Sequence, residues 1–170
     1  MSAPLLSVEN VTKHFPVRRG LMRRVTGAVQ AVTDVSFTLG AGETLAIVGE
    51  SGCGKSTAGR TILRLHEPTS GRVLLNGRDV FSLSPAELRA ARREMQMIFQ
   101  DPFGSLNPRM TVREVIAEPL RLHGMAGGAG LDRRIDEVLG MAGLSSWHAG
   151  RYPHEFSGGQ RQRVGIARAL

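Results

Sequence analysis

The sequence is short of several things, and each shortage excludes a class. It holds one cysteine, Cys53, so no internal disulfide can form, and a reducing compartment is expected. No run of 18 apolar residues exists, so no helix that crosses a bilayer is expected. Residues 1–6 lack a charged region followed by an apolar run, so no secretory signal is expected, and the chain reads as soluble and cytoplasmic. Aromatics make up only 5%, which weakens any model built on a base-stacking platform. Lysine occurs twice, at Lys13 and Lys55, while the other basic residues are arginines. His14, His66, His123, His148 and His154 have no metal-site spacing, and one cysteine gives no zinc set. Trp147 reads as a packing residue.

What remains is a 170-residue chain with an ordinary globular balance, 41% apolar and 22% charged, long enough for a real core. The net charge of +7 first suggests a nucleic acid or a membrane surface. Its distribution is uneven. Residues 11–24 carry Lys13, Arg18, Arg19, Arg23 and Arg24 with no acid, residues 151–170 carry four arginines against Glu155, and residues 25–150 balance. Glycine is abundant, 21 residues, which calls for tight turns or close backbone approaches.

Along the chain, Leu5 to Val11 and Val29 to Leu39 read as strands, with Lys13 to Gly27 as a basic loop or insertion between them. Gly40 to Gly42 is a turn, and Thr44 to Val48 has the continuous apolar character of a buried parallel strand. A helix is predicted from Lys55 to Leu65 with Ala58, Ile62 and Leu65 on one face. Val73 to Leu75 is a strand ending at the hairpin signal Asn76-Gly77. Capping boxes open helices at Ser84/Glu87, Thr111/Glu114 and Ser157/Gln160. The first helix runs to about Arg93, the second to Pro119 or Leu122, and the third to the last residue. Met95 to Phe99 reads as a strand, Asp101 to Arg109 as loop, Gly124 to Gly130 as a mobile glycine-rich stretch and Leu131 to Met141 as a helix. The class is α/β.

Gly49 to Thr57 has the form Gly-x4-Gly-Lys-Ser/Thr. Backbone N–H groups curled around a polyphosphate can donate many hydrogen bonds if side chains stay clear, and glycine allows that approach. A following helix aims its positive end at the phosphates. The candidate nucleotide ligands are Gly49, Ser51, Gly52, Cys53, Gly54, Lys55, Ser56 and Thr57, with Lys55 a catalytic point charge on the β- and γ-phosphates and Ser56 a ligand for Mg²⁺. A purely structural glycine turn is the alternative. This loop does not choose among kinases, GTPases, helicases and transport ATPases.

A second anion-binding helix start is Ser157-Gly158-Gly159-Gln160, which alone could be an ordinary cap. Together with the phosphate loop about a hundred residues earlier and the following Arg161-Gln162-Arg163-Val164, the chain resembles the ABC-type ATPases, with Phe156 in place of the usual Leu. The resemblance implies a P-loop NTPase core with an N-terminal antiparallel β subdomain and a helical subdomain. It implies that Ser157, Gly158, Gly159 and Gln160 act on the nucleotide of a partner ATPase domain. It implies that Gln100 is a catalytic residue touching Mg²⁺ and the attacking water, and that Phe15 stacks on adenine, unless Phe15 is simply a strand-end core aromatic. The expected divisions are 1–100, β subdomain and phosphate-loop core; 101–156, helical subdomain; and 157–170, signature helix.

Two further segments look like the ATP-binding subunits of oligopeptide and dipeptide importers: Phe99 to Arg109, and Arg151 to Phe156. So does the insertion Phe15 to Gly20. The resemblance implies ATP and Mg²⁺ as cofactors, and a second ATPase subunit, membrane permease subunits and, indirectly, a substrate-binding protein as partners. No nucleic acid is expected. The place implied is peripheral, on the cytoplasmic face of the membrane. The family pattern continues into a strand ending in Asp, then a Glu general base, and neither follows before Leu170. The expectation is therefore an incomplete domain of poor solubility that binds nucleotide but hydrolyses it weakly, since loss of a general base costs on the order of 10²–10⁴ in rate. Other readings are an ABC ATPase of DNA repair or translation, or a truncated, non-catalytic nucleotide-binding fragment.

Overall fold

The computed structural model describes residues 3–20, 24–125 and 127–170. Arg23 of the basic cluster, the first two residues and Ala126 of the glycine-rich stretch lie outside the described residues. The chain divides into two compact units, one through Ala91 and one from Arg92.

The first unit is built on an antiparallel sheet of order β2-β1-β3-β4, with β1 Leu6–Arg19, β2 Arg24–Leu39, β3 Ser70–Leu75 and β4 Arg78–Asp79. Val8, Val11, Val32, Val73, Leu75 and Val80 bury its inner face. Helix α1, Lys55–Ile62, contacts β1 and β2, and helix α2 spans Pro85–Ala91. Asn76 (φ 49°) and Gly77 (φ 76°) make the tight β3–β4 turn their dipeptide predicts, in the left-handed region that glycine and asparagine accept most readily. Helix α1 stops at Ile62, short of the Leu65 expected. Arg64 turns to φ 50°, and its Nη1 donates to the carbonyls of Leu83 (2.7 Å) and Val80 (3.3 Å).

The second unit is helical: α3 Pro102–Ser105, α4 Val112–Leu122, α5 Ala129–Met141 and α6 Gly158–Ala169, with 3-10 turns at Ser146–Gly150 and Pro153–Glu155. Its core includes Val112, Ile116, Ile135, Leu139, Phe156 and Val164. Pro119 lies inside α4 without ending it. The face Val112, Val115, Ile116 and Leu120 is buried along both halves of the helix, and that burial outweighs the roughly 3 kcal/mol cost of an interior proline.

The structure corrects several expectations. Among the described residues, Lys13 to Arg19 and Arg24 to Gly27 are not loop: Lys13↔Val32, Phe15↔Val29 and Arg19↔Arg24 extend the β1–β2 hairpin, and residues 21–23 lie outside the described residues. Pro16 is tolerated because β3 pairs with β1 only as far as Thr12, leaving that edge free. Thr44 to Val48 and Met95 to Phe99 are not strands, because no described segment pairs with either. Val48 is 87% exposed and Leu45 and Ile47 are also exposed, so the anticipated burial of this run is wrong as well. The expected loop 101–109 contains α3. Trp147 is 60% exposed, stacked on His148 with Arg151 over its ring.

Candidate nucleotide site and signature helix

The sequence-predicted phosphate ligands sit together at the start of α1, in the first unit. Gly54 caps α1 at φ 97°, ψ 0°, with no side chain bonding the helix end and no acid in the first turn. The helix starts of α2, α4 and α6 are all closed by side chains: Ser84 with Glu87, Thr111 with Glu114, and Ser157 with Gln160. At α1 the first-turn N–H groups of Lys55, Ser56 and Thr57 therefore have neither a helical nor a capping partner among the described residues. Together with the helix dipole they favour an anion.

Glycine is required at position 54. Its φ is positive, and a Cβ there would collide with the carbonyl oxygen of Ala31 on β2. The loop thus packs directly on the hairpin. Lys55 Nζ donates to the carbonyls of Gly49 (2.7 Å) and Glu50 (2.6 Å) and lies 3.5 Å from Cys53 Sγ. The ammonium is held across the loop mouth by its own carbonyls. Ser51, Gly52, Cys53 and Ser56 are exposed.

Phe15, on β1, is half-buried. Its ring meets His66 edge-on at 5.5 Å, and Lys13 Nζ stands 4.7 Å from its centroid. Gln100 is exposed in the second unit, just before α3.

The signature residues open α6, also in the second unit. The Ser157 N–H donates to Gln160 Oε1 (3.0 Å), and the Gln160 N–H donates to Ser157 Oγ (3.3 Å). This box leaves the Ser157 hydroxyl proton and the Gln160 amide hydrogens free to donate outward, since each residue engages only an acceptor. Gly158 and Gly159 are exposed between them, while Phe156 is 4% exposed and does the core packing an apolar residue must do there.

Sequence reasoning missed what holds this helix. Arg161 donates to the carbonyls of Pro153 (2.7 Å) and His154 (3.3 Å), Arg163 to Gly143 (3.1 Å) and Arg168 to Ser105 (2.6 Å). Burial lowers the Arg168 pKa from its ordinary value, with Glu118 opposing. An arginine remains charged under such a shift. Three of the four arginines of the C-terminal basic patch thus donate to backbone carbonyls. Nothing in the spacing of these arginines signalled it.

The pattern of the family described as ABC transporter matches residues 32–170. The chain belongs to this family. It is 56% identical over 167 residues to the oligopeptide transport ATP-binding protein AppF of Bacillus subtilis (strain 168), covering 98% of this chain and 51% of AppF. It is 54% identical over the same length to the glutathione import ATP-binding protein GsiA of Escherichia coli (strain K12), covering 27% of that protein. The chain thus spans about half or less of the curated relatives it matches. The dimeric structure of a bacterial ABC transporter cassette superposes with TM-score 0.81 at 33% identity, covering 97% of this chain and 68% of the cassette. A post-hydrolysis state of the same cassette, bound to ADP and Pi, gives 0.80 at 34%, with the same coverage of both chains. The expected fold class, an ABC-type α/β cassette, is thereby established. No helix among the described residues is long and apolar enough to cross a membrane.

Proposed function

We propose that this chain is the nucleotide-binding portion of an ABC importer ATPase that energises uptake of peptides or similar small solutes. The observation that carries the proposal is the uncapped start of α1, with Lys55 drawn across the loop mouth while the helix starts at Ser84, Thr111 and Ser157 are closed. The names of the relatives, oligopeptide transport and glutathione import, support the solute class. Repair and translation ATPases are disfavoured by those names and by the arginines of α6, which donate to backbone carbonyls.

In the proposed mechanism the N–H groups from Gly52 to Thr57 cradle the phosphates. Lys55 exchanges its loop carbonyls for phosphate oxygens. Ser56 presents an exposed, neutral hydroxyl oxygen, the hard donor that Mg²⁺ takes, and Gln100 is a second neutral oxygen donor that also orients water. Bound Mg²⁺ would neutralise charge on the phosphates as the terminal bond breaks. Phe15 would stack on the adenine once the Lys13 ammonium moves off its ring. Ser157, Gly158, Gly159 and Gln160 would donate to the nucleotide of a second ATPase subunit, a reading in line with the dimeric cassette. Permease subunits, a substrate-binding protein and a position at the cytoplasmic face of the membrane complete the proposed assembly. The proposed division places the β subdomain and phosphate-loop core in residues 1–100, the helical subdomain in 101–156 and the signature helix in 157–170.

The test is Lys55→Ala in the intact protein. ATP affinity should fall about thirtyfold or more, the loss of a charge-assisted hydrogen-bond set worth roughly 2 kcal/mol or more. Unchanged affinity would remove the phosphate-loop assignment.

A further inference from the structure

The helices α2, α4 and α6 open with the same reciprocal box, but their first turns differ. α2 begins Pro-Ala-Glu and α4 begins Val-Arg-Glu, while α6 begins with Gly158 and Gly159. Glycine is a poor helix former, so the box alone holds α6 less firmly than the other two. The fold does not require these glycines. Neither has a positive φ, and a Cβ at either would meet nothing within 4 Å. They leave an open face of N–H donors at a helix start that needs support from elsewhere.

Arg161 supplies that support. Its N–H donates to the Ser157 carbonyl (2.9 Å), and its guanidinium turns back past the helix start. Nε donates to the Pro153 carbonyl (2.7 Å) and Nη2 to the His154 carbonyl (3.3 Å). The Pro153 carbonyl also accepts the N–H of Phe156 (3.2 Å), whose ring is buried in the core. The turn Pro153–Glu155 is closed in its own right, the Tyr152 N–H donating to Glu155 Oε2 at 2.7 Å. Ser157 therefore lies between an anchored residue on one side and a guanidinium clamp on the other. Only a forked, permanently charged donor can hold two successive carbonyls in this way.

We propose that Arg161 is a positioning residue for the donors at Ser157, Gly158 and Gly159, fixing their direction by locking the first turn of α6 to the turn before it. This role rests on the reading above that those donors act on a partner's nucleotide. Donors aimed in advance stabilise developing charge without reorganising, and a misplacement of about 1 Å costs on the order of a hundredfold in rate.

The experiment is steady-state ATP hydrolysis by the intact protein assembled with its second ATPase subunit. Arg161→Ala should lower kcat about tenfold or more while KM for ATP stays within about twofold. ATP affinity of the unpaired intact protein should be unchanged, because its own loop does not use its own signature. Arg161→Lys, which keeps a charged donor, should recover most of the rate. Arg161→Ala together with Ser157→Ala should cost less than the product of the two separate losses, since a residue acting through Ser157 has less to position once the hydroxyl is gone. Unchanged kcat, lost ATP affinity in the unpaired protein, no recovery with lysine, or a fully multiplicative double loss would each overturn the proposal. Ser157→Ala separates the two readings: if it lowers kcat and Arg161→Ala does not, the positioning role alone fails, and if it leaves kcat unchanged, the signature reading itself fails.

Discussion

Arg168, near the end of α6, donates from Nη1 to the backbone carbonyl of Ser105 at 2.6 Å. The contact ties the helix that begins at Ser157 to α3, the short segment that follows Gln100 by two residues. If Gln100 senses the nucleotide and Ser157 a partner's nucleotide, as proposed, this tie makes them parts of one piece of backbone.

Arg168→Ala should therefore destabilise the protein by about 2 kcal/mol, the size of a hydrogen bond from a charged donor. Amide exchange at Ser105 and its neighbours should quicken while amides of the β1–β2 hairpin in the other unit keep their rates. Thermal unfolding with hydrogen exchange checks both, and unchanged exchange around Ser105 would refute the tie.

Gly54→Ala adds a Cβ at φ 97° against the Ala31 carbonyl. The expected cost is about 1–3 kcal/mol of strain. The loop must also shift off β2, so ATP affinity should fall together with stability. Wild-type affinity by equilibrium binding would count against the loop geometry.

Thr111 and Glu114 cap α4 reciprocally, the Thr111 N–H donating to Glu114 Oε2 at 2.7 Å. This backbone bond first, and then the Thr111 hydroxyl, hold the Glu114 pKa below its ordinary value. A depressed carboxylate contributes stability that is present above its unfolded pKa and lost as pH falls through the lower folded value. Thr111→Ala should cost about 1 kcal/mol at neutral pH. The difference from wild type should shrink in acid as Glu114 protonates in both. Urea titrations across that range measure it, and a difference that widens in acid would contradict the sign.

Local chemistry was legible where a few adjacent residues suffice. The boxes at Ser84, Thr111 and Ser157 and the turn at Asn76-Gly77 each close within about four residues, and each is found as read, as is the start of a helix at Lys55. The reading failed where a partner far along the chain decides. Arg18, Arg19, Gly20 and Gly27 look like loop punctuation, yet they belong to a hairpin because β1 and β2 satisfy each other's backbone out to Arg19↔Arg24. Thr44 to Val48 has strand composition and no partner among the described residues, so it forms no strand. Strand propensity is a fit to neighbours and not a property of the segment.

By itself the sequence determined the glycine-rich turn into α1, the helix caps and the place where positive charge collects, because spacing and residue type act over one or two turns of chain. Tertiary structure alone decided which charges stay free. It turned Arg161, Arg163 and Arg168 onto carbonyls of their own unit and left Arg18, Arg19 and Arg24 on a bare ribbon. A guanidinium takes whatever acceptor packing brings within reach, and reach is a property of the fold.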